Sequence, residues 1–145
     1  MNYSRLAIAA AAAWLVDGLY GFVVYGNLMA SQFALYPGVF RPVEAMNAKM
    51  PFLFAGLLLT MVVVTFIYAK GYEGGAGAQE GARFGALFGL LIAGIGLGNY
   101  AVFNIGSRLA GSMMIAGLVE WTLVGTVIGL VYRPAPSASR RAAGV

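Results

Sequence analysis

One stretch decides the fold: residues 6–28 read LAIAAAAAWLVDGLYGFVVYGNL, 23 residues with Asp17 as the only charged side chain. A helix needs roughly 17–25 apolar residues to cross the hydrocarbon core of a bilayer. Inside hydrocarbon every backbone N–H and C=O group has to be hydrogen-bonded within the protein, which a single helix achieves by itself. The stretch therefore predicts a membrane-spanning helix.

Three further apolar runs follow at residues 52–68, 84–103 and 113–132, and Glu120 is their only charged residue. The 145-residue chain is 61% hydrophobic and 10% charged, whereas a soluble domain is about 45–50% apolar and about 25% charged. We therefore predict an all-α fold, an integral membrane antiparallel four-helix bundle. A single transmembrane domain is expected over residues 1–133, followed by a flexible cytoplasmic tail over residues 134–145. The predicted spans are residues 6–28, 51–68, 83–104 and 110–132.

The ends of the spans are marked by breaker residues. All five prolines lie outside the interiors of the predicted spans (Pro37, Pro42, Pro51, Pro134 and Pro136). Pro42 is expected to open a short surface helix that runs through Lys49. Arg5 before an apolar run is typical of a signal peptide, but 23 residues exceed the roughly 7–15 of a signal-peptide core. We expect a retained first span.

The composition excludes several classes of function. The chain has no His and no Cys, which removes histidine or thiolate ligation of metals and the Ser-His-Asp and Cys-His nucleophiles. No catalytic motif is present, and we expect no enzyme activity, no cofactor and no metal site. The net charge is +4, but the basic residues flank the spans, where they orient helices, so we expect no nucleic-acid partner.

The basic residues also predict the orientation, because Lys and Arg are enriched in cytoplasmic loops. One side of the predicted bundle has six basic residues: Arg5, Lys70, Arg83, Arg133, Arg140 and Arg141. The other side has three: Arg41, Lys49 and Arg108. We therefore expect a multi-pass protein of the cell inner membrane with both termini in the cytoplasm.

Small residues recur every four positions on the third and fourth spans. They are Gly81, Gly85 and Gly89 on the third span and Gly125 and Gly129 on the fourth. Lipid tails give helices no hydrophobic reason to associate, so close backbone approach at small residues supplies the attraction instead. The third span is thus predicted to be buried and tightly packed. The same pattern also suits a homodimer or a larger membrane complex.

Asp17 and Glu120 are the most informative residues. Asp17 lies 12 residues after Arg5 and Glu120 lies 13 residues before Arg133, distances of about 18 Å and about 20 Å along a helix. Both are therefore expected near the middle of the membrane, at one level, where the first and fourth spans can bring them together. Desolvation disfavours an ionised carboxylate without a cationic neighbour, so at least one is expected to be protonated.

Two interpretations of this pair remain open. Neutral carboxyls can join helices through hydrogen bonds worth about 0.6 and up to about 2 kcal/mol each. Alternatively, the pair titrates a proton or binds a cation in a small polar cavity. Its expected hydrogen-bond partners are Asn99, Trp14 and Tyr20. The leading functional hypothesis is proton-linked transport or small-ligand binding. The alternative is a non-catalytic accessory or scaffold subunit of a larger membrane complex.

Three short segments carry a resemblance: Phe40-Arg41-Pro42, Tyr68-Ala-Lys-Gly-Tyr-Glu-Gly74 and Gly81-Ala-Arg-Phe-Gly85. Together they resemble a group of small bacterial four-span membrane proteins of unknown function, over residues 10–133. The resemblance implies a bacterial inner-membrane protein and assigns no site residues.

The resemblance draws attention to the hairpin between the second and third spans, which contains Lys70, Tyr72, Glu73 and Arg83. Lys70 with Glu73, and Glu80 with Arg83, are expected to form charge pairs that fix this hairpin at the membrane face. The hairpin also suits docking of a partner protein.

Overall fold

The structure is a computed structural model that describes residues 1–132, and within that range it contains helices and loops but no strand. The helices are α1 (Tyr3–Val23), continued by a π-helical turn (Val24–Leu28), α2 (Ala30–Phe33), α3 (Val43–Asn47), α4 (Met50–Lys70), α5 (Gly77–Val102) and α6 (Ser107–Val131). The predicted all-α fold with four long apolar helices is confirmed. The expected tail over residues 134–145, with Arg133, lies outside the described residues.

Four of these helices are long and apolar enough to cross a membrane: Tyr3–Leu28, Met50–Lys70, Gly77–Val102 and Ser107–Val131. Large apolar side chains are exposed along their outer faces, as at Leu19, Leu59 and Leu90. An apolar surface of this extent is not stable in water and is typical of contact with lipid. The four apolar helices indicate a multi-pass membrane protein.

The helix ends follow from local chemistry. The Asn2 side chain accepts a hydrogen bond of 3.1 Å from the Arg5 backbone N–H and so caps α1. Pro51 lies in the first turn of α4, where a missing N–H costs no helical hydrogen bond. α5 begins at Gly77, earlier than the predicted residue 83. Gly74 has a φ of +86° in the loop before it, a left-handed conformation that suits glycine.

The first connection, residues 29–49, is more structured than its sequence indicates. The short helix expected after Pro42 is present as α3, but α2 was not predicted. The backbone N–H of Gly106 donates a hydrogen bond of 3.0 Å to the Tyr36 hydroxyl. This contact attaches the first connection to the start of α6.

α1 and α6 are the two inner helices, because α6 packs against α5 and α1, and α1 packs against α4. The main core cluster forms where α1, α4 and α6 meet. Its members are Leu6, Ala9, Ala13, Met61, Val64, Tyr68, Trp121, Val124, Ile128 and Tyr132. α5 is the least buried of the four long helices, so the prediction that the third span is buried and tightly packed holds only for its glycine face. Its buried residues are Gly81, Gly85 and Gly89, all in its first half.

The glycines of α5 and α6 form a backbone-to-backbone contact. A Cβ atom added at Gly81 would collide with the carbonyl oxygen of Gly125, and one added at Gly129 would collide with that of Gly77. A Cβ atom added at Gly85 would collide with the carbonyl oxygen of Trp121. Any larger residue at these positions therefore forces the two helices apart.

Candidate functional site

The structure brings Asp17 and Glu120 together at the interface between α1 and α6. Asp17 is 4% exposed, Glu120 is half-buried, and their carboxyl groups are close enough to share a hydrogen bond. Two ionised carboxylates have only acceptor oxygens, so such a bond exists only when one of them is protonated. The geometry therefore fits a pair that holds at least one proton.

Tyr25 is a further member of the site that was not predicted from the sequence. Its hydroxyl donates a hydrogen bond of 2.8 Å to Glu120 Oε2. In a regular α-helix Tyr25 would point about 80° away from Asp17, because eight residues do not complete a whole number of turns. Tyr25 lies in the π-helical turn Val24–Leu28, where a wider turn rotates less per residue and reduces this angle.

Trp14 and Tyr20, which were predicted to bond to the carboxyl pair, bond to backbone carbonyls instead. Trp14 Nε1 donates to the Phe54 carbonyl oxygen at 3.1 Å, which links α1 to α4. The Tyr20 hydroxyl donates to the Ala116 carbonyl oxygen at 2.9 Å, which links α1 to α6. Tyr20 still packs edge-on against the Tyr25 ring, with 6.1 Å between ring centroids. Tyr20 thus links the two helices that carry the carboxyl pair, and Trp14 links one of them to α4.

A cavity of about 370 Å³ adjoins the carboxyl pair, and we name it the carboxyl cavity. Glu120, Tyr25 and Asn99 supply its polar side chains, and Asn99 is one of the residues predicted for the site. The rest of the lining is apolar or backbone, with Phe40 and Met114 as examples. Ligand pockets typically measure about 300–1,000 Å³ and combine apolar walls with a few polar groups. The carboxyl cavity has this form.

The predicted packing glycines and hairpin residues lie outside the lining of the carboxyl cavity. The glycines at 81, 85, 89, 125 and 129 belong to the α5–α6 contact. In the hairpin, the Lys70 ammonium lies 5.4 Å from the centre of the Phe66 ring. The Tyr72 ring packs against Tyr68.

Glu80 fixes the hairpin in a way that differs from the predicted charge pair. Its two carboxylate oxygens accept hydrogen bonds from the backbone N–H groups of Glu73, at 2.7 Å, and Gly75, at 2.8 Å. The first turn of α5 thereby holds the loop that precedes it. Glu73, Glu80 and Arg83 also line a second cavity, of about 340 Å³, which we name the hairpin cavity.

Comparisons with protein families, with curated proteins and with solved structures find no match for this chain. Within residues 1–132, no three acidic side chains are placed to hold a metal ion together. The function of the chain therefore has to be inferred from the geometry of the site.

Proposed function

We propose that this chain is a bacterial inner-membrane protein that binds a small lipophilic cation in the carboxyl cavity and exchanges it for a proton on the Asp17–Glu120 pair. One observation carries this proposal. Glu120 is at once a member of the carboxyl pair and part of the cavity wall. A ligand in the cavity and a proton on the pair therefore act on the same carboxyl group.

The proposed architecture is an antiparallel bundle in the membrane with both termini in the cytoplasm. The order of the glycine contacts supports opposite directions for α5 and α6, since Gly77 meets Gly129 and Gly81 meets Gly125. The resemblance to small bacterial four-span proteins supports the assignment to a bacterial inner membrane. The six basic residues on one side of the bundle support the orientation with both termini in the cytoplasm.

The coupling follows from electrostatics. An ionised carboxylate at the centre of a bilayer costs about 2.5–3.5 kcal/mol on insertion scales. Asp17 and Glu120 therefore need either a proton or a cation to compensate their charge. A cation beside Glu120 favours loss of the shared proton, and by thermodynamic reciprocity the proton weakens binding of the cation to the same degree.

The shape and lining of the carboxyl cavity favour a lipophilic cation over a hydrated ion. Apolar walls bury the body of such a molecule, whereas a metal ion needs several oxygen ligands. The Tyr25 hydroxyl is already committed as donor to Glu120, which leaves Asn99 as the further polar contact at the cavity wall.

The test uses dicyclohexylcarbodiimide, an apolar reagent that reacts with protonated carboxyl groups. We expect it to modify Glu120 in the full chain and benzyltrimethylammonium to slow the modification several-fold. Glu120→Gln should abolish this labelling, and Glu44→Gln, which removes an exposed carboxylate of α3, should leave it unchanged. Absence of Glu120 labelling in a folded protein, or labelling indifferent to the cation, would refute the proposal.

Transport itself is tested in proteoliposomes that contain the same cation and carry a proton gradient. We expect proton-driven efflux from wild type, and strongly reduced efflux from Asp17→Asn and Glu120→Gln. Equal flux in the wild type and both variants, with normal folding, would refute the transport hypothesis. Binding of the cation would then still be decided by the labelling experiment.

The alternative function is an accessory or scaffold subunit, and the second half of α5 supplies the observation that favours it. An added Cβ atom at Gly94 or Gly98 would meet no other atom within 4 Å, and the neighbouring Leu91 and Leu97 side chains are exposed. Another helix can approach this face closely. Native mass spectrometry of the protein from its own membrane distinguishes the two, because a scaffold subunit stays attached to a larger complex.

A further inference from the structure

The hairpin cavity is built from the end of α4, the loop and the first three turns of α5. Gln79, Arg83 and Leu87 line it at intervals of four residues, so they lie along one face of α5. Arg83 is six residues into the helix that begins at Gly77, about 9 Å along its axis. The wall of this cavity thus changes from polar to apolar as α5 proceeds away from the loop.

Tyr68 provides a second, independent observation. It lines the hairpin cavity and is 2% exposed, and its hydroxyl has no hydrogen-bond partner among residues 1–132. A buried hydroxyl without a partner is costly, and such groups in folded proteins usually have one. A ligand in the hairpin cavity that carries an acceptor oxygen would give the Tyr68 hydroxyl the partner that residues 1–132 do not supply.

The charges of the cavity define the ligand further. Three charged residues line it: Arg83, Glu80 and Glu73. Both carboxylate oxygens of Glu80 already accept hydrogen bonds from backbone N–H groups of the loop. This carboxylate is therefore not free to bind a ligand. Glu73 uses only its backbone in that contact, and its side chain remains exposed. The cavity therefore offers one guanidinium and one carboxylate to a ligand that has charges of both signs.

We propose that the hairpin cavity binds the headgroup of a phospholipid that carries a primary ammonium, such as phosphatidylethanolamine. Arg83 and the Tyr68 hydroxyl bind the phosphate, because a guanidinium and a hydroxyl both donate to phosphate oxygens. Glu73 accepts from the ammonium. The acyl chains follow the face of α5 that continues through Leu87 and Leu91, both of which are exposed.

The experiment measures lipid binding to the purified full chain in detergent by native mass spectrometry. Dioleoylphosphatidylethanolamine is compared with dioleoylphosphatidylglycerol, which lacks the ammonium, and with soluble phosphoethanolamine, which lacks the acyl chains. We expect about tenfold tighter binding of the first lipid than of the second, the effect of one charge-assisted hydrogen bond. Soluble phosphoethanolamine should not bind at the same concentration.

The variants separate the two ends of the headgroup. Arg83→Met should weaken binding of both lipids about tenfold, whereas the matched control Arg108→Met, at the start of α6, should not. Glu73→Gln should remove only the preference for phosphatidylethanolamine.

Tyr68→Phe should weaken lipid binding several-fold without lowering the melting temperature of the lipid-free protein, because the lost hydroxyl has no partner there. It therefore keeps the proposal testable if Arg83→Met fails to fold. Equal affinity for the two lipids, or an Arg83→Met protein that binds like wild type, would overturn the proposal. Binding of soluble phosphoethanolamine as tight as that of the lipid would overturn the lipid assignment.

Discussion

Gly125→Ala is the most direct test of the α5–α6 contact. An added Cβ atom at Gly125 would lie 2.6 Å from both the backbone nitrogen and the Cα of Gly85, whereas ordinary carbon–carbon contacts are about 3.5–4.0 Å. The two helices would have to separate by about 1 Å at this point, and a gap of about 0.5–1 Å already loses a quarter to a half of each local dispersion contact. No side chain can move aside, because both contacting atoms belong to the backbone.

We expect Gly125→Ala to lower the free energy of unfolding by about 1–3 kcal/mol, the usual cost of overpacking. Gly111→Ala is the matched control on the same helix, because an added Cβ atom there meets nothing within 4 Å. Its stability should equal or slightly exceed that of wild type, since alanine is the better helix former. Unfolding in mixed micelles with increasing SDS, followed by circular dichroism, measures both variants.

Equal stabilities of Gly125→Ala and Gly111→Ala would refute the close approach of α5 and α6. Concentration provides a second check, because packing within one chain makes the loss independent of protein concentration. If dilution lowered the stability of the wild-type protein as much as Gly125→Ala does, the glycines would instead join two copies of the chain.

Two further substitutions test single hydroxyl groups. Tyr25→Phe removes the hydrogen bond to Glu120, so we expect about 0.5–1.5 kcal/mol less stability and faster carbodiimide labelling of Glu120; unchanged labelling would show that Tyr25 does not restrain that carboxyl group. Thr65→Val removes a fully buried hydroxyl that has no partner within residues 1–132 and should stabilise the protein by about 1 kcal/mol. Thr122→Val removes a hydroxyl bonded to the Leu118 carbonyl at 2.7 Å and should not stabilise it, so equal effects of the two valine variants on SDS unfolding would contradict this reasoning.

The helices could be predicted from the sequence because hydrocarbon leaves an apolar segment few alternatives. The segment at residues 61–68, MVVVTFIY, is β-branched and would favour a strand in water. It is helical within α4, as expected where a backbone must satisfy its own hydrogen bonds. Counting residues from the basic ends also placed Asp17 and Glu120 at one level, because helix rise converts sequence distance into depth.

Side-chain partners within the site could not be predicted in the same way. Tyr25 reaches Glu120 from a π-helical turn, and regular helical spacing gives no signal for such a turn. Trp14 and Tyr20 donate to the backbone carbonyls of Phe54 and Ala116. Every residue type has such a carbonyl, so the sequence gives no signal for these acceptors. The glycine pattern likewise shows where helices can approach but not how much of α5 a neighbour covers.

The packing around α6 restricts the routes by which the proposed cation could reach Glu120. α6 is in backbone contact with α5 at Gly125, and its Ala116 carbonyl accepts a hydrogen bond from the Tyr20 hydroxyl of α1. The first connection also reaches this region: Phe40 lines the carboxyl cavity, Tyr36 and Phe40 pack against the core cluster of Met29, Leu109 and Ala116, and the Tyr36 hydroxyl accepts the Gly106 N–H at the start of α6. At the glycine contact, entry between α5 and α6 would require the separation of two helix backbones, whereas entry beside the first connection would require movement of side chains such as Phe40.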